Sequence, residues 1–91
     1  MINTPSEQIT HMQTMAKANK TASEVLRYLA IECGIEEQVV LMQRFKEAFN
    51  CPLGSVTAIG AWWHDGSCEL NDEAIDAYIM TVIKDYLDKA D

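Results

Sequence analysis

The stretch Trp62-Trp63-His64-Asp65-Gly66-Ser67-Cys68-Glu69 concentrates the reactive and aromatic side chains of this 91-residue chain. His64 and Cys68 offer the nitrogen and sulfur donors that zinc takes in tetrahedral sites, with Cys51 or Asp65 to complete the set. No Cys-x-x-Cys pair accompanies them, so four ligands would have to be gathered from separate elements. Turn residues beside a hydrophobic anchor account for His64 and Cys68 without a metal, and no cofactor is expected. A metal- or thiol-based site around these two residues is the alternative reading.

Other chemistries fit the pattern less well. Counted from Asp65, the glycine that a calcium loop needs at its sixth position is Leu70. If Gly66 takes that position instead, Ala61 and Trp63 fall where ligands belong. A nucleophilic Cys–His pair needs spatial contact and an orienting third group, and no spacing of Cys51 or Cys68 with His64 or His11 singles one out. The chain has no Gly-rich phosphate loop, no His-Glu-x-x-His and no Gly-x-Ser-x-Gly. The sequence reads as a non-enzyme.

Charge narrows the partners. Fourteen acids against seven bases give a net charge of -7. Residues 64–91 hold eight acids and two bases, so the excess lies mostly in the last third. Nucleic-acid binding needs Lys and Arg to displace counterions from phosphates, and an anionic membrane repels the same surface. Direct nucleic-acid and membrane partners are therefore not expected. Three cysteines (Cys33, Cys51, Cys68) are too few and odd in number for a secreted disulfide framework. The start of the chain shows no basic, then hydrophobic, signal pattern. Together these features predict a cytoplasmic protein.

The elements that position these residues read as helices. Thr4-Pro5-Ser6-Glu7 and Thr21-Ala22-Ser23-Glu24 both carry the capping-box pattern. Behind the first, Ile9, Met12, Met15 and Ala16 form only a thin apolar face, which predicts a loosely packed N-terminal helix within residues 1–19. Behind the second, Val25, Leu26, Leu29 and Ala30 form a fuller stripe, and Gly34 supplies a left-handed stop. A third helix is expected from about Ile35 to Phe49, with Val39, Met42, Phe45 and Phe49 on its main face. Pro52 ends it.

Leu53, Val56, Ile59 and Trp62 or Trp63 then predict a short fourth helix with Gly60 inside it, where the backbone should pack closely or the helix end early. Asn71 caps a fifth, whose stripe includes Ile75, Tyr78, Ile79, Val82, Ile83 and Tyr86. The expected fold is one all-α domain over residues 1–91, a compact bundle of about five short helices.

Two adjacent tryptophans on a helix point about 100° apart. One should enter the core on the Tyr78/Val82 side of the last helix, and the other should reach a contact surface. Tryptophan is enriched among interface hot spots, and a nearby acidic group steers basic partners. The partner-binding residues expected are Trp62, Trp63, Asp72, Glu73 and Asp76. The function expected is that of a protein-binding module: an adaptor, inhibitor or accessory protein. A homodimer would use the same aromatic patch, and an acidic mimic of nucleic acid would bind a basic protein.

Overall fold

Capping residues set where the helices begin, and four α-helices carry the fold. The computed structural model describes residues 4–89; Asp91, counted above among the acids of the last third, lies outside them. Helix α1 (Pro5–Lys17) starts at Thr4, whose hydroxyl accepts from the Glu7 N–H while the Glu7 carboxylate accepts from the Thr4 N–H. Helix α2 (Ala22–Arg27) repeats this reciprocal arrangement with Thr21 and Glu24. It continues directly into a π-helical turn, Tyr28–Glu32, where the Cys33 N–H donates to the Tyr28 carbonyl. Gly34 then turns left-handed at φ 70°, as expected of a helix stop. Helix α3 (Gln38–Phe49) ends at Asn50, also left-handed at φ 49°. Helix α4 (Asp72–Lys89) is capped by Asn71, whose side-chain oxygen accepts from the Ala74 N–H at 2.8 Å.

The expected fourth helix does not form. Residues Leu53–Ser55 and Thr57–Ala61 make two 3₁₀ turns, so the α-helices number four rather than about five. The segment is short, starts behind Pro52, holds Gly54 and Gly60, and is rich in β-branched residues. Each of these weakens an α-helix too short to recover its nucleation cost. Gly60 sits where a Cβ would come within 3.0 Å of the Met42 Cε, the close approach that a glycine inside this segment implied. Trp62 leaves the second turn in extended geometry (φ -120°, ψ 143°) and forms an isolated parallel bridge with Leu70. Among the described residues no strand forms, and no helix is long and apolar enough to cross a membrane.

One hydrophobic cluster draws on all four helices and on the 3₁₀ segment, with Met12, Leu26, Phe45, Ile59, Trp62 and Ile79 fully buried. The thin face of α1 suggested loose attachment, yet its contacts are substantial. Met12 and Ala16 enter the core, Gln13 Nε2 donates to the Ala48 carbonyl at 2.8 Å, and Arg44 Nε donates to the buried Gln8 Oε1 at 2.9 Å. The His11 ring also packs against Tyr28, with centroids 4.3 Å apart. Val39 and Tyr78, both expected on apolar faces, are exposed, while α3 buries Phe45 and Phe49 as expected, together with Leu41 and Ala48.

Met12→Ala should cost about 2–5 kcal/mol, read as a shift of the whole urea transition. An unchanged midpoint would mean that α1 does not unfold with the core. Glu24 gives a pH test. Hydrogen bonds from the Thr21 backbone and hydroxyl hold its carboxyl below the usual value. That stabilisation is present above the carboxyl's unfolded-state value and is lost as pH falls through the lowered folded one. Glu24→Gln should therefore flatten this part of the acid limb of stability against pH.

Candidate functional site

The start of α4 brings together most of the residues singled out above, but it divides them between an internal seam and an outer face. Asp72, Asp76 and Met80 recur every four residues, which places them on one side of the helix, and that side meets α2. Asp72 Oδ2 accepts from Arg27 Nε at 2.9 Å and pairs with its second nitrogen at 2.8 Å. Its other oxygen accepts from Trp62 Nε1 at 3.0 Å. Asp76 accepts from the Ser23 N–H at 2.7 Å and from the Ser23 hydroxyl at 3.1 Å, while Met80 Sδ accepts from the Ala22 N–H at 3.1 Å.

These bonds account for the N–H groups at the buried start of α2. A helix start leaves four N–H groups without intrahelical partners. Here those of Thr21 and Glu24 are satisfied within the capping box, and those of Ala22 and Ser23 by α4. A carboxylate at a helix N-terminus also meets the positive end of the macrodipole.

Trp62 is therefore core, not a contact residue. It is fully buried, its indole N–H is held by Asp72, and the Arg27 guanidinium lies 6.0 Å from its ring centroid. Its carbonyl accepts from Gln38 Nε2 at 3.1 Å. Its place beside Asp72 and Arg27 replaces the packing expected against Tyr78, which is 60% exposed. Asp72 and Asp76 likewise have internal partners, so the acidic group expected to face a partner is partly engaged within the fold, while the Asp72 side chain stays 43% exposed.

Trp63 and Glu73 remain on the outside. Extended geometry at Trp62 sends successive side chains to opposite faces, so burial of one tryptophan turns the other outward. Trp63 is half-buried and, with Gly66, Asn71, Glu73 and the outer edges of Arg27 and Asp72, lines an open cleft of about 330 Å³. The His64 ring rests on Trp63 with centroids 4.8 Å apart. A tight turn carries the chain onward. Gly66 has φ 78°, its N–H donates to the Trp63 carbonyl, and Asp65 Oδ1 accepts from the Ser67 N–H at 2.8 Å. Hydrogen bonds from the Ser67 hydroxyl and N–H hold the Asp65 carboxyl below its usual range.

Cys68 Sγ lies 3.4 Å from Gln38 Nε2. Burial pushes the Cys51 thiol up, opposite to what a nucleophile needs. Among the described residues, no three His, Cys, Asp or Glu side chains converge to hold a metal ion.

Comparison with known proteins adds no precedent: no protein family, curated protein or solved structure matches the chain.

Asp72→Ala should cost about 1–3 kcal/mol, because it leaves the buried Trp62 N–H without a partner. Asp72→Asn keeps an acceptor and loses only a half-exposed ion pair, worth about 0–1 kcal/mol. Urea unfolding of both variants separates the two contributions. Equal losses would mean that the ion pair, not the indole bond, dominates.

Proposed function

We propose that the protein is a small acidic protein-binding module, an adaptor, inhibitor or accessory protein acting in the cytoplasm, and that it works by contact rather than catalysis. The observation that carries this reading is Trp63, a half-buried indole on the wall of an open cleft whose rim includes the exposed Glu73. An indole set in a shallow recess offers a partner a large, already ordered apolar surface. A cleft this open encloses a small substrate poorly. The net charge of -7 favours a partner with a basic surface, and Glu73 with its acidic neighbours would speed that encounter at low salt. The sparse, odd set of Cys33, Cys51 and Cys68 fits a reducing compartment.

The test is affinity capture from lysate of the source organism, at low and high salt, with wild type and Trp63→Ala. A stoichiometric partner should come with the wild type. Trp63→Ala should weaken its binding about 30-fold or more, the scale of a hot spot of about 2 kcal/mol, with the helical circular dichroism retained. Glu73→Lys should mainly slow association, and added salt should shrink its effect. Equal capture by wild type and Trp63→Ala would remove the tryptophan from the contact.

A further inference from the structure

A second recess lies on the other flank of the α4 start, and its make-up differs from the Trp63 cleft. The two 3₁₀ turns supply a floor of small residues, including Gly54, Ala58 and Ala61; Leu70 and Tyr78 supply apolar walls. The volume is about 410 Å³, room for one or two large side chains. Tyr78 stands 60% exposed, the most open large hydrophobic residue among those described, and Leu53 at 51% directly precedes the floor. Tyrosine combines a broad apolar face with a polar tip, which suits it to surfaces that alternate between water and a partner. The floor is carried by the 3₁₀ turns Leu53–Ser55 and Thr57–Ala61.

The surrounding charge says what would fill it. Glu69 lies on the lip of the recess, and Asp85 follows Tyr78 two turns along the same face of α4. Both are exposed, and neither belongs to an ion pair among the described residues. A second copy of this chain is a poor occupant. Pairing two copies at this face would bring two charges of -7 together. A basic segment meets the same surface with complementary charge.

We propose that the Tyr78 recess is a docking groove for a basic peptide segment of a partner protein, which inserts a bulky apolar side chain between Tyr78 and the Ala58–Ala61 floor. The acids at Glu69 and Asp85 receive its lysines or arginines. This rests on the reading of the chain as a protein-binding module, but it names a different recess from the Trp63 cleft.

The experiment is titration of the ¹⁵N-labelled protein with a short amphipathic lysine–leucine peptide, followed by amide chemical shifts. A lysine–serine peptide of equal length and charge is the control. The leucine peptide should shift Ala58, Ala61, Leu70 and Tyr78, and bind about tenfold or more tightly than the control, a difference of about 1.4 kcal/mol. Tyr78→Ala should erase that advantage while leaving the helical signal and the weak control binding unchanged; Tyr78→Phe should keep it. Equal binding of the two peptides would overturn the proposal, as would self-association through Tyr78 without peptide. Shifts centred on Trp63, Gly66 and Glu73 would overturn it too, while leaving the Trp63 reading standing.

Discussion

The contact of Asp72 with Trp62 and Arg27 organises the rest of the molecule. Trp62 is a fully buried side chain with one polar atom, and a buried indole N–H without an acceptor would be costly. Asp72 supplies the acceptor from the first turn of α4 and takes Arg27, at the end of α2, with its other oxygen. A single carboxylate thus fixes where the 62–71 connection meets α4 and where α2 lies against that helix. One turn later Asp76 caps α2, and another turn on, Met80 accepts its first N–H. The polar seam sets register while apolar burial drives assembly. The ion pair itself is half-exposed and contributes little.

The same seam determines which surfaces are left for a partner. With Trp62 committed inward, extended geometry leaves Trp63 outward over its cleft. With Asp72 and Asp76 turned to α2, the acids left facing solvent near the start of α4 include Asp65, Glu69 and Glu73. Gln38, from the first turn of α3, reaches the carbonyls of Gly60 and Trp62 and the sulfur of Cys68, tying both ends of the irregular segment to a helix. The two recesses therefore rest on a supported loop, one on each side of the α4 start.

Local signals were legible wherever a residue acts on its own neighbours. Thr4 with Glu7, Thr21 with Glu24, Gly34, and Asn71 before the last helix all do what their types and spacing imply, since capping is a short-range hydrogen-bonding event. The all-α class followed from the same periodicity. The sequence misled where two local tendencies competed. Leu53, Val56 and Ile59 carry a helical spacing, but the run is short and poor in helix formers, and 3₁₀ turns satisfy its backbone instead. Tyr78 shared the apolar stripe of α4 by type, yet Ile75, Ile79, Val82 and Ile83 fill the buried side and leave it out.

The sequence by itself determined the helical class, the main helix starts and stops, and the acidic excess of the last third, because each depends on residues close in the chain or on composition. Only the tertiary structure decided which tryptophan is core, that Asp72 and Asp76 serve α2, and that Tyr78 overlooks a recess. Those outcomes depend on partners such as Arg27, Ser23 and Ala58, which lie 20 to 53 positions away in the sequence. A carboxylate on a helix looks the same in sequence whether water or another helix receives it. Packing chooses, because burying the Trp62 indole and the start of α2 creates donors that these carboxylates are placed to satisfy.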